Sequence, residues 1–355
     1  MIKIEKRDLS SNNFAKGLYK LLSFLIGLAM STVLLKLLSV DITQFFIELY
    51  QDSLGSKYAV SETLLKATPL IICSIGVSLA FKMKLWNIGS EGQLYMGALA
   101  STIVALYIET DSSFIMLSSM ILASFLLGGL WSGFAAILKS KLNVNEIIVT
   151  LLMNYIAILL VDYLVYGPLK DPAGFNFPYT KQFPDVALLS TFFNTRLHYG
   201  VIIAVILLVI YYIIIEKSIW GYEIRVIGSN PNAAKYSGIN IDINIFMVMF
   251  LSGGISALAG FSEVSGVIHR LQHSISPGYG YTAIIIAWLS NQNYLGILFS
   301  SIFMAILFIA GDTLQLNYQL PISLVNAFQG IILFMLLISD FFMNHKISIK
   351  WRKND

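Results

Sequence analysis

Residues 86–101 read WNIGSEGQLYMGALAS, and the nature of the chain turns on them. They follow Lys82 and Lys84 and run straight into an apolar segment. Asn87 is a residue type suited to cap a helix start by accepting a backbone N–H. Glu91 falls four residues later, near the positive end of the helix dipole. Gly89, Gly92 and Gly97 let neighbouring backbones approach closely. A carboxylate at the inner mouth of an apolar helix is costly unless it is paired or hydrated. Two readings stand. One is a capped helix start whose carboxylate is tied to neighbouring backbone or to Lys82 or Lys84. The other is a gate or pathway element containing Asn87, Glu91 and Gln93. Either way the stretch is a tight hinge between a cytoplasmic turn and a membrane helix.

Composition agrees with a membrane setting. Of 355 residues, 57% are hydrophobic and 12% charged, where soluble domains carry about 45–50% and about 25%. Mean hydropathy is +0.75. Several apolar runs approach or exceed the ~20 residues that cross a bilayer. The chain is therefore read as all-α and polytopic, a single transmembrane domain over residues 1–355 with its embedded core at 18–342. The single cysteine, Cys73, rules out an intrachain disulfide. The first apolar run, 18–38, has no small-residue cleavage site and reads as a retained helix rather than a signal peptide.

Hydropathy predicts about ten crossings, at 18–38, 64–82, 88–108, 114–138, 146–167, 199–215, 243–264, 279–290, 294–312 and 322–342. The eighth is too short to span about 30 Å alone and should be a broken or recessed helix sheltered by neighbours. With the N-terminus placed in the cytoplasm, 16 of the 23 lysines and arginines fall inside. Among them are Lys82, Lys84, Lys139, Lys141, Lys217, Arg225 and Lys235, with the basic terminal residues Arg7, Lys350, Arg352 and Lys353. That asymmetry predicts both termini in the cytoplasm and an even number of crossings. The Pro- and aromatic-rich segment 168–198 then lies outside and 216–242 inside. A weak symmetry is also visible. NIGSEGQ opens the third crossing on the inside, and SPGYGYTA (276–283) opens the eighth on the outside. Residues 64–167 and 243–342 can be read as halves of an inverted repeat, with interrupted helices at matching places.

The inner segment contains GSNPNAAKYSGIN (228–240). Asn230 suits the N-cap and Pro231 the first helical position. Asn232, Ala233, Ala234, Lys235, Tyr236 and Ser237 give less than two turns, and Gly238 suits a left-handed stop. So short a helix, with no apolar stripe of its own, is suited to another protein's groove.

Other polar groups sit within apolar runs, where they are functional candidates by default. Asn154 is mid-helix, available to a solute or to another helix. Asp162, Glu263 and Asp312 fall near outer ends, where solvation is expected. His269 and His273 have metal-compatible spacing, yet no HExxH pattern or cysteine cluster supports a metal. No GxxxxGK[ST] occurs, so ATP is not bound here through a P-loop, and no cofactor is implied.

Several motifs occur in order across residues 60–342: WNIGSEGQLYMGA, NEIIVTLLMNYIA, GPLKDP, GSNPNAAKYSGIN, LSGGISALAGFSEVSG and GYGYTAIIIAWL. Together they resemble the permease subunits of ATP-binding-cassette importers for nucleosides and simple sugars, the ribose-type and branched-chain-amino-acid-type family. The GPLKDPAGFNFP stretch is most similar to the larger of two paired permeases in bacterial purine-nucleoside importers. The resemblance implies about ten helices, a second permease subunit, a cytoplasmic ABC ATPase and an external solute-binding lipoprotein in a bacterial cytoplasmic membrane. It also implies that Asn230–Gly238 is the coupling helix that docks on the ATPase. No covalent chemistry is expected of such a chain. An ion-coupled secondary carrier of similar solutes is the alternative, and it would need a mid-membrane acid or histidine as its coupling site.

Overall fold

A computed structural model describes residues 2–6 and 13–349. Arg7, Lys350, Arg352 and Lys353 lie outside the described residues. Every segment expected to cross the membrane is helical. The helices are α1 (Asn13–Leu37), α2 (Ile42–Ser53), α3 (Lys57–Lys82), α4 (Ser90–Tyr107), α5 (Ser113–Leu142), α6 (Glu146–Tyr166) and α7 (Gly200–Tyr212). Then follow α8 (Ile219–Ser229), α9 (Pro231–Tyr236), α10 (Ile241–Glu263), α11 (Tyr279–Leu289), α12 (Tyr294–Leu316) and α13 (Ile322–Asn344). There are also two short strands, β1 (Ile2–Lys6) and β2 (His345–Ile349), a 3-10 turn at Asp185–Ala187, and widened helical turns at Ile213–Lys217 and Val264–Ile268.

Six spans are long and apolar enough to cross a membrane alone, α7 and α10 counting with the widened turns that carry them on to Lys217 and Ile268, or seven if Leu25–Leu37 and Ile42–Ser53, bent by 117°, form one broken span. The difference from ten has identifiable causes. The polar first turn of α4 dilutes its apolar character, and nearly all its side chains are buried within the protein. The 11 residues of α11 cover about half a bilayer, as its short apolar run predicts.

The described chain forms two compact units, Val60–Ala305 and Met1–Ala59 with Ile306–Asp355. In the larger unit, α5 and α10 meet along small residues. A Cβ on Gly253 would lie 2.3 Å from the Ser132 Cβ, so only glycine permits this approach. The Ser124 hydroxyl donates to the Ala257 carbonyl at 2.9 Å, and α4 packs against α5, α6 and α10. The α5–α6 turn is built by local chemistry. Asn143 takes a left-handed φ of 50° that ends α5, and Asn145 caps α6 through the Ile147 N–H. Lys139 then bridges to Glu146 at 2.9 Å. Segment 168–198 runs beside the chain that leads into α11, with Thr180 N–H donating to the Leu271 carbonyl and Phe183 N–H to that of His269, both at 2.9 Å.

In the smaller unit, the Phe45 ring of α2 meets Phe328 of α13 edge-on at 5.9 Å. Ser31 of α1 donates to the Phe328 carbonyl at 3.2 Å. β1 pairs antiparallel with β2, placing Ile2 opposite Ile349.

Candidate functional site

The hinge at residues 83–93 is the most densely hydrogen-bonded place in the larger unit. Asn87 is fully buried. Its Oδ1 accepts from Gly89 N–H at 3.0 Å and from Gln93 Nε2 at 2.9 Å. Its Nδ2 donates to Ser252 Oγ of α10 at 2.8 Å and to Gln93 Oε1 at 3.2 Å. Ser252 in turn donates to the Gly76 carbonyl of α3 at 2.6 Å. Asn87 therefore closes a turn; it is not the N-cap of α4. That position belongs to Gly89, which has no side chain to cap with.

The missing cap comes from α6. Asn154, also fully buried, accepts from Gly92 N–H at 2.8 Å and donates to the Ile88 carbonyl at 2.8 Å. Thr150, one turn earlier, accepts from Ile88 N–H at 3.2 Å. Of the two partners open to Asn154 in the sequence, another helix is the one it has. Its amide satisfies backbone groups at a helix end that would otherwise lack partners in an apolar setting.

Glu91 is 2% exposed. Neither Lys82 nor Lys84 pairs with it. Its Oε2 instead accepts from Gly280 N–H, in the first turn of α11, at 2.7 Å. The Ser276 hydroxyl and Tyr281 N–H reach the same carboxylate. A Cβ on Gly280 would lie 2.2 Å from the Glu91 nitrogen, so the glycine is needed for the two backbones to touch. The two Gly-rich openings noted in the sequence are thus not at separate mouths. The chain before α11 stays unwound through residues 269–278 and delivers its helix start to that of α4. Two positive helix ends meet there, and Glu91 lies between them.

Below the hinge lies the inner segment. Gly228 of α8 rests on the end of α3, where a Cβ would lie 2.5 Å from the Lys82 carbonyl oxygen. Ile224 and Ile227 of α8 are buried. The Trp220 Nε1 donates to Asn244 Oδ1 of α10 at 2.6 Å. α9 follows at once. Asn230 caps it by accepting from Ala233 N–H at 3.1 Å, Pro231 occupies the first turn and Gly238 stops it at φ 78°. Ala234 departs from expectation. It is fully buried against this chain's own residues, so it cannot seat in a partner. Asn232, Ala233, Lys235 and Ser237 are exposed, and Tyr236 is 95% exposed.

The outer polar groups also differ from expectation. Glu263 is 5% exposed rather than solvated, because it closes α10 just before a widened turn at Val264–Ile268, with Lys66 and Arg196 as opposing charges. His273 Nδ1 lies 2.8 Å from Asp162 Oδ1, which occupies that ring in an ion-pair geometry. Sequence reasoning missed Thr150, Ser252 and the α11 backbone as hinge partners. The Gly-Tyr-Gly at 278–280 was the one signal pointing to the last.

Residues 59–338 match the family described as the permease component of branched-chain amino acid transport systems. The chain is 34% identical to the glucose ABC transporter permease protein of Haloferax volcanii, over 94% of this chain and 91% of that one. It is 29% identical to the guanosine ABC transporter permease protein of Bacillus subtilis, over 89% and 91%. It is 26% identical to the nucleoside ABC transporter permease protein of Lactococcus lactis, over 92% of each. These relationships set aside the ion-coupled carrier, and they put ATP hydrolysis on a separate chain. The chain belongs to the branched-chain-amino-acid-type permease family and is the multi-pass permease subunit of an ABC importer.

Proposed function

We propose that this subunit conducts nucleosides or simple sugars by alternating access, and that the stroke of the ATPase enters through Asn230–Gly238. The observation that carries the coupling role is the position of α9. It is short, capped at both ends and exposed on Asn232, Ala233 and Tyr236. It is joined directly to α8, whose Gly228 rests on the backbone at the end of α3. A push on α9 therefore reaches the α3–α4 turn through backbone contact. From there Asn87, Gln93, Asn154 and Glu91 carry it to α10, α6 and α11, with Glu91 acting as the latch of a gate. The hinge amides work on the gate rather than on the solute, since both ends of each are engaged by protein partners.

The solute class rests on the relatives, whose names specify glucose, guanosine and nucleosides. The expected assembly contains a second permease, a cytoplasmic ATPase and an external solute-binding protein in a bacterial cytoplasmic membrane. Two observations favour both termini on the cytoplasmic side. β1 pairs with β2, which brings the two chain ends together, and 16 of the 23 lysines and arginines fall in segments assigned to the inside by the sequence.

The test is a charge on the exposed face of α9. Truncating an aromatic anchor at an interface centre costs about 2 kcal/mol or more, and Tyr236→Glu adds desolvation to that loss. The variant should insert normally, lose the ATPase on co-purification and lose uptake. Ala234→Glu would test packing inside this chain instead. Full uptake with the ATPase retained in Tyr236→Glu would make α9 an ordinary loop.

A further inference from the structure

α6 carries a stripe that the hinge does not use. Tyr155, Leu159, Asp162 and Tyr166 recur at helical spacing along one face, and Tyr155, Leu159 and Tyr166 are each more than half exposed. Beside this stripe runs the unwound chain before α11. His269, Ser274 and Gly278 all have positive φ there, of 62°, 56° and 97°, so no helical ladder can satisfy its backbone. The two are tied together by the Asp162–His273 contact at 2.8 Å, where the side chains are 20% and 48% exposed. The Tyr166 ring lies 6.1 Å from that of His273. Deeper in, Gly280 N–H at the start of α11 donates to Glu91, whose neighbour Gly92 is held by Asn154, so the chain from His273 into α11 runs from the outer end of α6 toward its middle.

Lipid cannot face such a surface. Non-helical backbone at membrane depth survives only when buried in protein or lining water, and His273 and Ser274 are exposed. An acid–imidazole pair turned toward hydrocarbon would be costly for the same reason. We propose that the Tyr155–Asp162–Tyr166 face of α6 and the chain from His273 into the first turn of α11 form one wall of the water-filled translocation path, open toward the outer side. Asp162 accepts hydroxyl protons and His273 offers a ring nitrogen on the same spot. Tyr155 and Tyr166 present flat faces of the kind that stack on a base or on the apolar face of a sugar ring. The wall thus fits a ring-shaped solute bearing several hydroxyls. That last step rests on the solute class proposed above, whereas the wall itself does not.

The experiment uses right-side-out vesicles carrying the complete transporter and a charged, membrane-impermeant thiosulfonate. Cys73 is the only cysteine and is fully buried, so unmodified protein is the unlabelled control. Tyr155→Cys, Asp162→Cys and Ser276→Cys are compared with Leu126→Cys, an exposed apolar position on α5. Only a hydrated thiol ionises and reacts readily, so the three path positions should label at least about tenfold faster than Leu126→Cys. Guanosine or glucose, supplied with the solute-binding protein, should slow that labelling. Labelling at the α5 rate at all three positions overturns the wall. Fast labelling that neither solute slows keeps the wall and instead removes the proposed solute class, which uptake of the same two solutes by the unmodified transporter checks separately.

Discussion

At the scale of single residues, the hinge is a set of polar side chains saturated by protein. Asn154→Leu removes two hydrogen bonds and leaves Gly92 N–H and the Ile88 carbonyl without partners. Each unsatisfied buried group costs about 1–3 kcal/mol, so the thermal midpoint of the purified subunit should fall clearly. Lost transport with an unchanged midpoint would instead make Asn154 a solute contact. Asn87, Glu91, Gln93 and Asn154 stand out in the sequence as amides and an acid in apolar runs, and the structure gathers them at one hinge. Their partners were not legible. Glu91 binds a backbone N–H 189 residues away, and backbone leaves no mark in a side-chain pattern. Ala234 was misjudged for a related reason. Six residues are too few for a helical period to show which side faces inward.

At the scale of elements, the apolar helices were legible because hydropathy over twenty residues is a strong signal, and α11 was correctly expected to be short. α2 and α8 were not anticipated, since both are short and amphipathic and carry no such run. The junction between segment 168–198, α7 and α10 yields a prediction in pH. His198 is buried, and its Nδ1 accepts from Gly200 N–H at 3.0 Å. Burial, with neighbouring His269 as a smaller cause, lowers its pKa from 6.5 to about 4. The unfolded chain therefore binds a proton that the folded chain refuses between those values. Stability from this site is complete above the unfolded value of 6.5 and is lost progressively as pH falls toward 4. The thermal midpoint should drop between pH 7 and pH 5, and His198→Asn, which keeps an acceptor near Gly200, should drop less. Equal drops in both proteins would show that His198 is not the group responsible.

At the scale of the whole molecule, the proposed function makes the permease a transmission between an ATPase and a buried pair of helix starts. Composition and hydropathy made the membrane setting legible, and the motif order made the family legible. The proposed route was not, because it rests on close backbone approach at Gly228 and Gly280, which sequence marks only as glycine. The most direct measurement is solute transported per ATP hydrolysed, in vesicles carrying the complete transporter with Gly228→Val. The added side chain would collide with the Lys82 carbonyl and push α8 away from the α3–α4 turn, while the exposed face of α9 stays intact. The ATPase should still co-purify and hydrolyse ATP, and the transport ratio should fall at least about tenfold, a coupling loss of roughly 1.4 kcal/mol or more. An unchanged ratio with the ATPase bound would contradict a stroke routed through α8 to the α3–α4 turn.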